Sequence, residues 1–355
     1  MFLSRDLRSS PIVLVVAALL AVACRSEPRG SCDDADPIRT RCGYENPEDL
    51  AYARGPGVVV VSQMRRDGAG GNLAATDPAG GGPRLLWPRA ETPGVDAGPA
   101  AGDPQCPPPV PDVFAPHGLF VRDARLYVVN HGGRESVEIF ALEGVGEDVG
   151  ARWIGCVELP EGTSGNDVAV GPTGWILVSN MSPPGAIWTA SLKSRFGLDT
   201  GDVILWRGSE GWLHVPGTDA SGPNGVALSP GGEWIYYAEA GAGRIVRVRP
   251  DGSGRREGKV EGRPDNLSWS ESGRLRVATH TSSLDLAWCL WRRPCRAPWK
   301  VFELDPETLE AREILSHDGA RVGAVAGAQG VGDDVYLSAV FGDRIGIWTP
   351  SADPK

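Results

Sequence analysis

A two-strand pattern recurs six times along the 355-residue chain, and it constrains the fold more than any other feature of the sequence. Each copy starts with one or two polar residues, continues as a short apolar alternation, passes a glycine turn and ends in a second apolar run. The copies start at Pro47, Pro116, Gly165, Pro223, Pro264 and Val322. Starts that lie roughly 40 to 70 residues apart are typical of the blades of a β-propeller, whereas the turns of a β-sandwich recur every ~8 to 12 residues.

Further strand candidates lie between the six hairpins, so that each blade would hold about four strands. Examples are "VEIFALE" at 137–143 and "GRIVRVRP" at 243–250. The 48 glycines and 30 prolines, with little helical periodicity, also favour short strands joined by turns. We therefore predict an all-β fold: a six-bladed β-propeller with four-stranded blades over residues 42–349, followed by a tail at 350–355. The segment "GNLAATDPAGGGP" at 71–83 is interpreted as a flexible insertion.

The N-terminus has the features of an export signal. Two arginines precede an apolar run at 11–23 that is too short to span a bilayer as a helix. Residues 1–23 are therefore predicted to be a signal peptide and 24–41 a linker. The sequence "AVAC", which ends at Cys24, resembles a bacterial lipobox and would make Cys24 the lipidated residue; plain secretory cleavage is the alternative. We expect an exported monomer, periplasmic or at the cell surface, that contacts the membrane only through this anchor.

Export makes the six remaining cysteines candidates for disulfides, which persist in oxidising compartments. Six cysteines allow fifteen connectivities, of which we favour Cys289–Cys295 and Cys106–Cys156, with Cys32–Cys42 as the third candidate pair. A metal–thiolate site is disfavoured because the sequence contains no CxxC pair. The net charge of −10 and the lack of a basic stripe argue against a nucleic-acid partner.

The polar residues at the starts of the hairpins are expected to meet in one place. The first strand of each propeller blade lines the central channel, so these starts converge on one channel mouth. They supply Glu48, Asp49, His117, Asn166, Asp167, Asn224, Asp265 and Asn266. The second strands return to the same end, which places His131 and His280 near the mouth. Carboxylate and amide oxygens suit Ca²⁺ far better than Zn²⁺, so the sequence predicts a metal-binding channel. The alternative is that each Asp or Asn only forms a turn with its own backbone.

Several motifs, taken together and in this order, resemble one known family. They are "PEDLAY", "PHGLFV", "LYVVNH", "VEIF", "NDVAVGP", "NGVALSP", "DNLS" and "VYLSAVFGDRIGIW". From about Cys42 to Trp348 the chain resembles the paraoxonase/arylesterase family of six-bladed calcium-dependent lactonases, as an exported bacterial member. That family is related more distantly to the gluconolactonase-like propellers, with which it forms a superfamily.

The resemblance implies two calcium ions and a histidine pair. The ligands of a catalytic calcium would be Glu48, Asn166, Asn224, Asp265 and Asn266. Those of a structural calcium deeper in the channel would be Asp49, Asp167 and the backbone carbonyl of Leu119. His117 and His131 match the general base and its partner, and His280 matches a histidine at the wall of the substrate pocket.

Two departures from the family pattern bear on the site and on ring closure. Where the family has an Asp after the Asn that closes the third hairpin, this chain has Met181, so the polar support of the histidines is missing there. The family joins its N-terminal cysteine to one near the C-terminus, but Ile347 and Trp348 stand there in this chain. Cys42 must therefore pair elsewhere or stay free, and the propeller must close in another way.

The segment "LDLAWCLWRRPCRAPW" follows His280 and should leave from the mouth. We interpret it as a disulfide-braced lid in which Trp288 and Trp291 shape the substrate pocket. A surface loop whose tryptophans pack on the propeller rim is an equal alternative.

The expected function is calcium-dependent hydrolysis of small lactones, aryl esters or both. Two alternatives stay open: a sugar lactonase of the gluconolactonase type, and a non-catalytic binding propeller that uses calcium only for stability.

Overall fold

The computed structural model describes Cys32 and residues 37–64, 70–89, 101–292 and 294–350. In this part of the chain six sheets, antiparallel apart from one two-residue edge strand, form the blades of a β-propeller, which confirms the predicted fold. The predicted signal peptide, the lipidation site at Cys24 and the tail at 351–355 lie outside the described residues. No helix of the described segments is both long and apolar enough to cross a bilayer.

The blades follow one another along the chain, and each runs outward from the channel. The chain begins with β1 (Ile38–Cys42), and the first blade contains β2 (Pro47–Ala53), β3 (Val58–Gln63), β4 (Asn72–Asp77) and β5 (Gly80–Trp87). The second blade has β6 (Ala101–Gly102) at its outer edge, parallel to β10 (Gly150–Glu158), and β7 (Pro116–Arg122), β8 (Arg125–Asn130) and β9 (Ser136–Glu143) lead outward from the channel to β10. The third contains β11 (Ser164–Val170), β12 (Ile176–Ser182), β13 (Asp202–Trp206) and β14 (Trp212–His214).

The remaining three blades repeat this order. The fourth contains β15 (Pro223–Leu228), β16 (Ile235–Glu239), β17 (Arg244–Val248) and β18 (Arg256–Lys259). The fifth contains β19 (Arg263–Trp269), β20 (Leu275–His280), β21 (Trp299–Leu304) and β22 (Ala311–His317). The sixth contains β23 (Val325–Val331), β24 (Asp334–Ala339), β25 (Arg344–Trp348) and β1. Within the described residues the α-helices are α1 (Ile187–Arg195) and α2 (Ser283–Trp288), which connect the second and third strands of the third and fifth blades.

The N-terminal strand closes the ring. Strand β1 pairs antiparallel with β25, so the two ends of the chain share the sixth blade. It starts at Ile38, ahead of the predicted propeller start at residue 42. The sequence did not predict this strand because a strand that pairs only with a distant partner gives no hairpin signal of its own. The backbone hydrogen bonds between β1 and β25 therefore close the propeller, in place of the disulfide that the family forms near the C-terminus.

All three predicted disulfides are present: Cys32–Cys42, Cys106–Cys156 and Cys289–Cys295. Cys42, at the end of β1, is therefore paired with Cys32. Three disulfides in one domain indicate folding in an oxidising compartment.

The interpretation of residues 71–83 as a flexible insertion was wrong. This segment forms all of β4 and the start of β5, the two outer strands of the first blade. Ala74 pairs with Val61 of β3 and is fully buried with Leu73. Alanines bury little apolar surface each, so the apolar alternation that marks a strand was weak here.

The apolar core lies between the blades and leaves the channel to polar side chains. Between the first and second blades, Trp87 packs against Phe114 with ring centroids 4.5 Å apart and against Phe140 at 5.3 Å. These edge-on aromatic contacts fix the spacing of the two blades and hence of the strand starts at the channel.

Candidate metal and catalytic site

Six β-bulges shape the channel end of the innermost strands. The pairing register shifts between Pro47 and Asp49, Pro116 and Leu119, Gly165 and Val168, Pro223 and Val226, Pro264 and Leu267, and Val325 and Ala328. A bulge takes residues out of the ladder and re-aims their side chains. Every side chain predicted to bind metal, together with His117, lies at one of these bulges.

Side chains that are far apart in the sequence meet at this end of the channel. Glu48 Oε1 accepts a hydrogen bond of 3.3 Å from Asn266 Nδ2 and lies 3.5 Å from His117 Nε2. Asn166 and Asn224 occupy the equivalent bulges of the third and fourth blades. The five predicted ligands of the catalytic calcium are all at most 9% exposed. The site is thus buried and assembled from five blades, His117 included.

Three oxygens of the predicted catalytic-calcium ligands are buried acceptors with no hydrogen-bond partner among the described residues. This acceptor trio consists of Glu48 Oε2, Asn166 Oδ1 and Asn224 Oδ1. A buried polar atom left without a partner costs about 1–3 kcal/mol, and more when charged. A cation bound between the three would satisfy them all, since every member accepts and none donates. The residues present therefore fit a bound Ca²⁺.

The chemistry of the donor set also fits a hard cation. It contains the two carboxylates of Glu48 and Asp265 and three asparagine amides. The described part of the chain has no group of three or more His, Cys, Asp or Glu side chains suited to a metal, so binding depends on the amide oxygens. Amide and carboxylate oxygens are ligands that Ca²⁺ accepts in irregular geometry, and its charge would balance the two carboxylates.

Asp49 and Asp167, predicted ligands of the structural calcium, each link two neighbouring blades by hydrogen bonds. Asp49 accepts from the backbone N–H of Leu50 at 2.8 Å and from that of Leu119, in the next blade, at 2.7 Å. Asp167 accepts in the same way from the N–H groups of Val168 at 2.7 Å and Val226 at 2.8 Å. Leu119 thus contributes its N–H to Asp49, and its carbonyl as a calcium ligand stays a prediction of the family resemblance.

Burial opposes the charges of these two aspartates. Burial first, and then the charge of Glu48, raises the pKa of Asp49 to about 8. The pKa of Asp167 is raised well above its usual range by burial and then by the charge of Asp49. Carboxylates that repel each other in a buried channel are stabilised by a nearby cation. The pair is therefore compatible with the second calcium that the resemblance implies.

Glycines in the even-numbered blades make room for the bulges of the odd-numbered ones. A Cβ on Gly118 would lie 2.5 Å from the Cα of Asp167, and a Cβ on Gly225 would lie 2.5 Å from the carbonyl oxygen of Asp265. Both neighbours are backbone atoms, which cannot turn away as a flexible side chain could. Asp49, Asp167 and Asn266 in the odd-numbered blades therefore stand at the bulge position that Gly118, Gly225 and Gly327 occupy in the even-numbered ones.

The two predicted catalytic histidines are hydrogen-bonded to each other. His117 Nδ1 lies 2.9 Å from His131 Nε2. Burial lowers the pKa of His117, but the carboxylates of Glu48, Asp265 and Asp49 together outweigh this effect, and the pKa is raised. His131 Nδ1 lies 2.9 and 3.0 Å from the two oxygens of Glu135. Glu135 was missed in the sequence because it stands in a glycine turn, where no apolar period marks it as facing the channel.

The three residues predicted to line the substrate pocket differ in burial: His280 is buried, whereas Trp288 and Trp291 are exposed. His280 is 5% exposed, and its Nε2 lies 2.7 Å from Oδ2 of Asp265. It is therefore placed to orient a predicted metal ligand, as the histidine partners of ligating carboxylates often do. Trp288 is 53% and Trp291 78% exposed, so most of each side chain faces solvent.

The fold and the site together define a six-bladed β-propeller with a buried, oxygen-rich channel end next to a histidine pair. The sequence matches no protein-family model and no curated protein. Among solved structures it is similar to a luciferin-regenerating enzyme, with 14% identity and a TM-score of 0.55 over 88% of this chain and 95% of that chain. It is also similar to a gluconolactonase from Xanthomonas campestris, with 16% identity and a TM-score of 0.57 over 92% of this chain and 100% of that chain.

Similarity at this level of identity shows a shared fold and does not by itself transfer an activity. The neighbours place the chain's architecture among propellers that include gluconolactonases. The paraoxonase/arylesterase resemblance stays a prediction that rests on the motifs.

Proposed function

We propose that the protein is a calcium-dependent hydrolase of lactones, aryl esters or both. The observation that carries the proposal is the acceptor trio, buried at the channel end where Glu48 also approaches His117 at 3.5 Å. Metal-assisted ester hydrolysis needs two elements: oxygen ligands that hold a cation, and a base that can accept a proton, here the histidine pair.

In the proposed mechanism the chain's own residues divide the work. Glu48, Asn166, Asn224, Asp265 and Asn266 would hold the catalytic calcium. When bound, the ion supplies Lewis-acid polarisation of the ester or lactone carbonyl, worth several kcal/mol of transition-state stabilisation. His117 accepts the proton of the attacking water at Nε2, a role worth ~10²–10⁴ in rate. His131 holds the ring of His117 through its 2.9 Å hydrogen bond.

The first test is a substrate panel assayed before and after removal of Ca²⁺ with a chelator. It should contain γ- and δ-lactones, phenyl acetate and gluconolactone. We expect hydrolysis of at least one class, its loss on chelation and its return when Ca²⁺ is added. Full activity of the stripped protein would contradict the metal mechanism. A flat result across the panel, with a melting temperature raised by Ca²⁺, would instead favour the non-catalytic binding propeller.

The sugar lactonase is the second candidate, because one structural neighbour is a gluconolactonase. It would use much the same carboxylate and amide set, and it would prefer gluconolactone to aliphatic lactones in the same panel. The hydrogen-bonded pair of His117 and His131 favours the first proposal, since both histidines belong to motifs, "PHGLFV" and "LYVVNH", that resemble the paraoxonase/arylesterase family.

Replacing His117 by glutamine should reduce kcat by ~10²–10⁴-fold, because the general base is lost while the oxygen ligands remain. The affinity for Ca²⁺, measured by calorimetry, should change little. His214→Gln is the matched control, since His214 is a half-exposed partner of Asp202 and should leave kcat unchanged. A His117→Gln protein with wild-type kcat would remove His117 from the mechanism.

A further inference from the structure

The histidine pair can be hydrogen-bonded with either of two polarities, and only one of them leaves a base facing the metal ligands. A neutral imidazole carries one N–H, so in the 2.9 Å contact between His117 Nδ1 and His131 Nε2 one ring donates and the other accepts. If His131 donates, the single hydrogen of His117 is on Nε2, the nitrogen that approaches Glu48. If His117 donates, its Nε2 carries a lone pair that can take a proton from water.

Three contacts in a row share the hydrogens of the two rings. They join Glu135 to His131 at 2.9 Å, His131 to His117 at 2.9 Å, and His117 Nε2 to Glu48 Oε1 at 3.5 Å. Two neutral rings have two hydrogens, which is enough for two of the three contacts. The longest contact, between His117 Nε2 and Glu48, is therefore the one that has no hydrogen between its two atoms. This assigns both hydrogens to Nδ1 atoms.

Glu135 sets this polarity because an ionised carboxylate can only accept. Both of its oxygens lie within 3.0 Å of His131 Nδ1, so the hydrogen of His131 is drawn to Nδ1 and Nε2 is left to accept from His117. We propose that Glu135 is a positioning residue that fixes the tautomers of His131 and His117, so that Nε2 of His117 is unprotonated and faces the metal ligands. The catalytic consequence of this assignment rests on the proposed function, but the tautomers themselves do not.

Glu135 is itself held in place between two blades. Its Oε2 accepts from the backbone N–H of Gly165 at 3.3 Å and its Oε1 from the hydroxyl of Ser164 at 3.5 Å, both at the start of β11. Its own carbonyl accepts from the N–H of Leu159 at 2.9 Å. A carboxylate anchored in this way gives His131 the support that Met181 cannot give.

The test measures tautomers directly, with ¹⁵N-labelled histidine in Ca²⁺-loaded protein at a pH where both rings are neutral. Only five histidines occur in the chain, so His→Gln variants suffice to assign the signals. We expect the wild type to carry hydrogen on Nδ1 of both His131 and His117. In Glu135→Ala this preference should be lost, and kcat should fall roughly 10-fold or more, up to the ~10²–10⁴ contribution of a general base.

Glu135→Gln is the conservative variant, since its amide oxygen can still accept from His131 Nδ1. It should retain the wild-type tautomers and most of kcat, which a role in packing alone would not predict. Glu143→Ala removes an exposed carboxylate of the same blade, paired with Arg152, and should change neither signal nor rate. A wild-type protein with hydrogen on Nε2 of His131, or a folded Glu135→Ala protein with unchanged tautomers, would overturn the inference.

The two proposals can fail separately. A protein that hydrolyses nothing in the panel, yet loses the Nδ1 tautomers in Glu135→Ala, would refute the proposed function and support the role of Glu135. If Glu135→Ala destabilises the fold, the melting temperature will show it, and the comparison of Glu135→Gln with the wild type still decides whether an acceptor at this position fixes the tautomers.

Discussion

Replacing Asp265 by alanine is expected to abolish Ca²⁺ binding and hydrolysis together. Asp265 supplies one of the two carboxylates of the proposed catalytic calcium site, and it is buried with His280 at 2.7 Å. Without it, the remaining charge no longer balances the ion, and the several kcal/mol of Lewis-acid stabilisation are lost with the metal. Since each 1.36 kcal/mol is tenfold in rate, kcat should fall roughly 10³-fold or more. Calorimetric titration with Ca²⁺ and an assay of the best panel substrate measure the two effects.

The matched control is Asp305→Ala, in the same blade. Asp305 accepts from the backbone N–H groups of Glu307 at 3.0 Å and Thr308 at 2.8 Å, which is a turn aspartate's usual role. Its loss should lower the melting temperature slightly and leave Ca²⁺ affinity and kcat unchanged. If Asp265→Ala behaved like Asp305→Ala, Asp265 would be a turn residue and the metal proposal would lose its main ligand.

Asn224→Ala sharpens the same test. Its Oδ1 belongs to the acceptor trio, so in a protein that binds no metal the substitution would remove a buried polar atom at little cost to stability. In a protein that binds Ca²⁺ through this oxygen, the substitution should reduce both metal affinity and the melting temperature of the Ca²⁺-loaded form. The size of the drop in melting temperature, together with the change in metal affinity, therefore separates the two cases.

The sequence predicted the ring of blades and the members of the site because both depend on local, repeated patterns. A hairpin that begins with a polar residue or two and ends in an apolar run is visible in each copy. Six such hairpins arranged around one axis must bring their polar starts together at one end of the channel. The bulge at each strand start was not foreseen, although a polar pair before an apolar alternation is compatible with one. The repeated pattern thus predicts that Glu48 and Asn266 share one site, and in the structure they are hydrogen-bonded.

What escaped prediction has no local signal. Strand β1 pairs only with β25, more than 300 positions along the chain, as Ile38 opposite Trp348 shows. Glu135 approaches His131 because a glycine turn folds back, and no periodicity reports the direction of a side chain in such a turn. Strands β4 and β5 are rich in alanine and glycine, so composition suggested a loop where the neighbouring strand provides the pairing.

Replacing Gly225 by alanine is expected to damage both stability and metal binding through a single methyl group. The added Cβ would lie 2.5 Å from the carbonyl oxygen of Asp265 and 2.6 Å from the Cα of Asn266. Overpacking of this kind typically costs ~1–3 kcal/mol, and the cost should lie at the upper end because the obstacle is backbone. The strand that carries two proposed ligands must shift, so Ca²⁺ affinity should fall as well.

Gly55→Ala is the control for this substitution. Gly55 lies in the turn between β2 and β3, where no described atom is within 4 Å of an added Cβ and no unusual backbone angle demands glycine. Its melting temperature and Ca²⁺ affinity should match those of the wild type or improve slightly, because alanine restricts the unfolded chain. A Gly225→Ala protein that melts and binds Ca²⁺ as the Gly55→Ala protein does would mean that the close approach of the fourth and fifth blades does not position the ligands. A loss of affinity larger than the loss of stability explains would mean that it does.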